Sequence, residues 1–279
     1  MIIALFPNTN KKESTHLAIG ITEFLASHGI TVVAEDADAA KIGAQPLSTT
    51  PSKEIQFLIS MGGDGTILNL VHKYEHLDVP ILGINLGHLG FMADIPISDI
   101  YPSLEDLISG AFTIEKRIAI EGESANGKRC FAVNEIVVHR ASNPSLIEIA
   151  IHVDNLYLNT FEADGIIIAT PNGSTAYSLA AGGPILSPSL EAFVLTPISP
   201  HTISNRPIVL TSNQEIHLQY LSNQGNIEVR ADGIAHHDIK TGEIYRMRRA
   251  HKTFQLVNLK RRDYFSTLRT KLGWTGKLR

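Results

Sequence analysis

Gly62-Gly63-Asp64-Gly65-Thr66 is the segment whose residue types say most about chemistry. Its three glycines permit backbone conformations and close approach that a side chain would block. An apolar helical stripe follows, so unpaired N–H groups and a positive dipole end would face the turn. Such a place suits phosphate. A carboxylate there repels phosphate oxygens unless it takes a proton from an attacking hydroxyl or shares a divalent metal with them. Asp64 therefore favours phosphoryl transfer over passive binding. The turn lacks the Lys of a Walker loop and does not match G-x-G-x-x-G. Taken alone, it is also compatible with a plain strand-to-helix turn, because Asp-Gly pairs are common in turns.

Two further segments carry polar groups where apolar ones would be expected. Asp164 to Tyr177 reads as an apolar strand, a Pro171-Asn172-Gly173 turn and a helix beginning near Ser174 and Thr175, which brings hydroxyls and N–H groups together. Tyr177 adds a flat face for a base; the alternative is a capped helix with a packed tyrosine. Asn134-Glu135 interrupts an apolar run, and polar residues there are destabilising unless partnered. The amide could read an adenine edge and the carboxylate the ribose hydroxyls, or the pair could sit on an exposed edge or make a structural hydrogen bond. His236-His237 are neighbours on an expected strand and face opposite ways, which disfavours a shared metal. One cysteine and scattered histidines give no structural zinc pattern, and no metal-ligating residue is assigned. Asn85 to Phe91, rich in glycine, follows a strand and either lines the same cleft or is a structural loop.

These residues must be positioned by strands and helices whose periodicities are legible. Strands are expected at 1–6, 30–34, 56–61 and 79–84, and helices at 12–28, after the phosphate turn (Ile67, Leu70, Val71, Tyr74) and around Leu104, Leu107 and Ile108. Strands alternating with helices predict a parallel sheet, with ligands beyond its carboxyl edge. β-rich runs follow at 112–120, 130–140, 146–153, 155–161, 165–170, 207–210, 215–221, 226–231 and 253–258. Turn signals stand at Asp154-Asn155, at 222–225 and at Asp232-Gly233. The expected fold class is α/β plus all-β: a half with a parallel sheet and helices, then a half that reads as a β-sandwich or related all-β layer structure.

The chain has 279 residues, 43% of them hydrophobic and 19% charged, as in ordinary globular proteins. A net charge of -4 argues against nucleic acid as a partner, although residues 240–279 hold 12 of the 24 Lys and Arg and could attract phosphates or form a solvated face. No run reaches the roughly 18 apolar residues of a membrane helix, and the first residues have no export signature. The expectation is cytoplasmic, with no membrane partner. Cys130, the single cysteine, is expected to pack in a strand.

The phosphate turn, Asn134-Glu135 and the Thr170 to Tyr177 segment, in this order and separation, resemble the NAD kinase family over nearly the whole chain. Asn85 to Phe91, Ala181-Gly182-Gly183-Pro184 and segments within 200–207 add to the likeness. The turn alone is shared with diacylglycerol-type lipid kinases. The resemblance implies transfer of the γ-phosphoryl group of ATP, or polyphosphate in some members, with a divalent metal such as Mg2+, to the 2'-hydroxyl of the adenosine ribose of NAD. It also implies a Rossmann-like domain at 1–110, to which a tail at 252–279 returns, a β-sandwich NAD-binding domain at 111–251, and a homodimer or homotetramer. It makes Asp64 the proton acceptor and brings Gly65 to the dinucleotide phosphates. Asn134 and Glu135 would bind adenine and ribose. Asp164, Asn172, Thr175, Ala176, Tyr177, Ser178, Leu179 and Ala180 would line the dinucleotide site, and Ser199 would help near nicotinamide across a subunit contact. Asn172 replaces the more usual Thr or Ser. Glu162 stands where many relatives carry a basic residue, so it is excluded from the site. The remaining alternatives are a lipid kinase and a catalytically silent NAD sensor.

Overall fold

In a computed structural model, which describes every residue except 9–11, 203–204, 224, 262, 275 and 277–279, the chain divides into two units. The first comprises Met1–Glu115 and Gln255–Arg279, the second Lys116–Phe254. Gln224 of the expected turn, residues 203–204 of the 200–207 segment, and Arg262, Lys277 and Arg279 of the basic stretch lie outside the described residues.

The first unit runs β1 (Ile2–Phe6), α1 (Lys12–Ser27), β2 (Thr31–Ala34), α2 (Asp36–Ile42), β3 (Gln45–Pro46), β4 (Ile55–Gly62), α3 (Asp64–Lys73), β5 (Ile81–Asn85), β6 (Ile95–Pro96) and α4 (Ile100–Ser109). Its strands are parallel in the order β3-β2-β1-β4-β5, with β6 on β5. The chain leaves β1 toward β2 and resumes on its other side at β4, a reversal at whose carboxyl edge ligands bind. The phosphate turn follows β4 there. Ala18, Ile21 and Leu25 of α1 and Ile100, Leu104 and Leu107 of α4 share one core with alternate strand residues Ile3, Leu5, Ile59, Met61, Leu82 and Ile84. α1 and α4 each give way to a left-handed glycine, Gly29 at φ 72° and Gly110 at φ 76°. α2 is an addition to the expected elements.

The second unit is built from β7 (Thr113–Ser124), β8 (Arg129–Ala132), β9 (Glu135–His139), β10 (Ile147–Val153), β11 (Leu156–Ala163), β12 (Gly165–Ala169), α5 (Tyr177–Ala180), β13 (Ala192–Ile198), β14 (Ile208–Thr211), β15 (Ile216–Tyr220), β16 (Ile227–Ala231), β17 (Ala235–Ile239) and β18 (Ile244–Asn258). The first three residues of β7, 113–115, and the end of β18 belong to the first unit, where Leu256 pairs with Ile81, and α6 (Tyr264–Leu272) follows β18. One antiparallel sheet runs β14-β13-β12-β9-β16-β17; the other carries β11-β10-β15-β18, with β7 and β8 beyond. Ile136, Val138, Ile166, Ile168, Phe193 and Val229 of the first meet Ile149, Ile151, Leu218, Tyr245 and Met247 of the second in a single core, as a sandwich requires.

Several local expectations are sharpened. Asp154 and Asn155 have φ of 50° and 67°, the left-handed pair of a two-residue hairpin turn. The run 130–140 is two strands broken at Val133-Asn134. The strand at 253–258 is the end of the 15-residue β18. His236 is exposed, and half-buried His237 stacks 5.2 Å from Tyr245. Cys130 is half-buried, its Sγ 2.9 Å from the Tyr245 hydroxyl, and burial pushes its thiol up. No described helix is long and apolar enough to cross a membrane.

Candidate active site

In the first unit the phosphate turn caps α3. Gly63 N–H donates to Thr66 Oγ1 at 3.3 Å, and a side chain at Gly62 would run into that hydroxyl. Nothing lies within 4 Å of where a Cβ on Gly63, Gly65 or Gly87 would stand, so the turn opens onto free space. Asp64 is held by the loop after β5. Its Oδ2 accepts from Phe91 N at 2.8 Å, and its Oδ1 accepts from Met92 N and Ala93 N at 2.9 Å each. Three donors answer the carboxylate's charge, so an acid is accommodated in this glycine-rich turn. Gly90 permits this: a side chain there would strike Asp64 Oδ1 and the Ala93 carbonyl.

The loop is braced from the chain's far end. Lys271 of α6 donates to Leu89 O at 2.9 Å and lies 5.1 Å over the Phe91 ring, which also meets Tyr264 at 5.9 Å.

In the second unit Asn134 and Glu135 are buried where β8 gives way to β9, and the 170–173 turn packs against them. Thr170 Oγ1 donates to Val133 O at 2.6 Å, and Thr170 N donates to Asn134 O at 2.8 Å. A side chain at Gly173 would overlap that Asn134 carbonyl. Buried Arg117 donates through Nη1 to Asn172 Oδ1, and Asn172 Nδ2 donates to Asn134 Oδ1 at 2.6 Å. A guanidinium only donates, so it fixes which way both amides point: the NH2 of Asn134 is the end left for a ligand. Glu135 keeps a buried Oε2 with no hydrogen-bond partner. Burial first, and the nearby charge of Asp232 second, push its carboxyl up to about 8.

The other sequence-derived residues divide by exposure. Asp164 is ion-paired through Oδ1 to Arg140 Nε at 2.6 Å. Thr175 is half-buried and donates to Asn172 O at 3.3 Å. The helix expected from Ser174 is shorter: Gly173–Thr175 form a 3-10 turn, and α5 spans only four residues before Gly182, Gly183 and Pro184 end it. Tyr177 and Ala180 are exposed, while Ala176 and Leu179 are half-buried. Ser178 is buried, its hydroxyl 2.9 Å from that of Thr196, so it faces the core. Ser199 is exposed with a left-handed φ of 45°. Glu162 is exposed opposite Glu148 across β10 and β11, with His201 Nδ1 at 3.6 Å. Arg117, Arg140, Met92 and Ala93 are not among the sequence-derived residues, and Asp232 enters there only as a turn signal, Phe91 only as the end of a glycine-rich loop and Lys271 only within a basic run, because each acts across a long separation.

Comparisons with known proteins place the chain in a family. The ATP-NAD kinase N-terminal domain matches residues 3–112 and the ATP-NAD kinase C-terminal domain residues 133–259. An NAD kinase of Protochlamydia amoebophila is 56% identical over 278 residues, covering 100% of both chains. That of Moorella thermoacetica is 35% identical, covering 97% of this chain and 88% of its own. Yeast NADH kinase, solved with NADH, superposes with a TM-score of 0.86 at 25% identity, covering 100% of this chain and 89% of that one. An NAD kinase from Archaeoglobus fulgidus, solved with ATP, gives 0.76 at 26% identity, covering 99% and 100%. With both of its halves matched and a full-length relative of this similarity, the chain belongs to the NAD kinase family.

Proposed function

We propose that this chain transfers the γ-phosphoryl group of ATP to the 2'-hydroxyl of the adenosine ribose of NAD, giving NADP. The observation that carries the reading is Asp64, a carboxylate set inside a phosphate-binding turn and held there by three N–H groups. Its Oδ1 takes two of those donors and its Oδ2 only one, so Oδ2 retains the lone pair that receives the hydroxyl proton. Gly63 and Gly65 leave the turn's main chain open to phosphate oxygens. The second unit holds the adenosine: Asn134 offers its NH2 to a ring nitrogen, and Glu135 offers its unpartnered oxygen to a ribose hydroxyl. Exposed Tyr177 supplies a face for stacking.

Among the described residues no three His, Cys, Asp or Glu side chains gather as a metal-binding group. A Mg2+ would therefore rest mainly on the triphosphate oxygens, with Asp64 the carboxylate at hand, a donor set that suits Mg2+. When bound it neutralises charge on the phosphates. A homo-oligomer is supported by the edge strand β11, which leaves Leu156 and Tyr157 74% and 61% exposed; light scattering measures its mass.

The test is direct. Purified protein with NAD, ATP and Mg2+ is expected to form NADP, detected by an NADP-specific dehydrogenase. No NADP with either ATP or polyphosphate would refute the reading, and tight NAD binding without turnover would favour a sensor.

A further inference from the structure

Asp232, at the turn between β16 and β17, has no place in the sequence-derived site, yet its carboxylate reaches the segment that carries Asn134 and Glu135. Oδ2 accepts from Val133 N at 2.8 Å, and Oδ1 accepts from Asn134 N at 2.8 Å and Glu135 N at 3.2 Å. The Asp232 N–H donates back to Glu135 O at 3.0 Å. A left-handed φ of 50° lets one residue make all four contacts. These bonds give the N–H groups at the break between β8 and β9 acceptors that the sheet ladder does not provide there.

We propose that Asp232 is the positioning residue of the nucleoside site: it fixes the main chain that carries Asn134 and Glu135, and it places a like charge beside the Glu135 carboxyl. The proposal rests on the reading of Asn134 and Glu135 as adenosine-binding residues. With burial the larger cause and Asp232 the second, Glu135 is pushed up to about 8 and carries a proton at neutral pH. In that state it donates to a ribose oxygen as well as accepting. Of the charged groups around it, Asp232 raises its proton affinity, whereas Arg117 stands two amides away behind Asn172 and Asn134.

Asp232→Asn keeps one acceptor oxygen, loses the other and removes the charge. It is expected to raise KM for NAD about tenfold, the effect of one hydrogen bond broken and its N–H stranded. The kcat should stay within about threefold, because the bond is used equally in ground and transition states. Calorimetric NAD binding by the parent should weaken as pH passes about 8. In Asp232→Asn that limb should move to lower pH, since the repulsion that raised it is gone, and in Glu135→Gln it should vanish. A merely structural role would raise KM and leave the limb in place. A folded Asp232→Asn with the parental KM, or with an unmoved limb, overturns the proposal. Should the variant not fold, Asp232→Ser is read in its place: a raised KM with the limb moved to lower pH supports the proposal, and a parental KM or an unmoved limb overturns it. A parent that binds no NAD would remove the underlying reading itself, an outcome distinct from the other two.

Discussion

Asp64→Asn separates the two tasks of that carboxylate. The amide oxygen can still accept from Met92 N and Ala93 N, but its NH2 then faces Phe91 N–H, which donates to Oδ2 at 2.8 Å in the parent. Donor meets donor, and one partly buried N–H loses its acceptor, a loss of about 1–2 kcal/mol. In a chain of this size that lowers Tm by roughly 2–8 °C. Turnover should suffer far more. A neutral amide cannot take the hydroxyl proton, so kcat should fall at least about a hundredfold with NAD affinity retained. Gly90→Ala is the companion: its methyl would strike Asp64 Oδ1, displacing the carboxylate while keeping its charge. The assay is NADP formation at saturating NAD and ATP, run beside thermal melts. If Asp64→Asn melts lower yet turns over within about threefold of the parent, Asp64 is an anchor for the 91–93 loop and its assignment as the base is wrong.

Three further outcomes follow from the same geometry. The Glu135 carboxyl is raised from 4.5 to about 8 in the folded chain, so its contribution to stability is fullest below 4.5 and is lost as pH rises through 8. Glu135→Gln without ligand should therefore melt above the parent at pH 8, with the gap closing toward pH 5; an equal gap at both pH values would contradict this. Asn172→Asp cannot donate to Asn134 Oδ1, so KM for NAD should rise about tenfold, whereas Asn172→Thr, which keeps a hydroxyl donor, should retain most of the affinity. An unchanged KM in Asn172→Asp would break the link from Arg117 to Asn134. Lys271→Met removes the bond to Leu89 O and the contact over Phe91; it should lower kcat several-fold with Tm nearly constant, and an unaltered kcat would mean that α6 does not steady the loop.

What was legible in the sequence is what short-range rules encode. The alternation of strands and helices, the glycines of the phosphate turn and the Asp154-Asn155 hairpin each depend on neighbours a few residues apart. α2 escaped because Asp36–Ile42 buries only Ala39 and Ile42, too few for a helical stripe. β13 escaped because Pro197 sits in the run Ala192–Ile198, and a proline argues against an interior strand. At the site, Asp64 and Asn134-Glu135 stood out as polar residues in the wrong company. Their partners did not, since Asp232 lies 97 to 99 residues from the N–H groups it holds, and Arg117 lies 55 from Asn172. No spacing rule joins residues so far apart; only the packing of the sandwich does.

The brace on the Asp64 loop also sets a schedule for synthesis. Lys271 follows Leu89 by 182 residues, and translation at roughly 5–20 residues per second separates them by on the order of ten to forty seconds. Through that interval the nascent chain has its phosphate turn but not the helix that steadies the neighbouring loop. The residues of the second unit all emerge in between. A product interrupted before Lys271 emerges thus carries Asp64 and its loop without their brace.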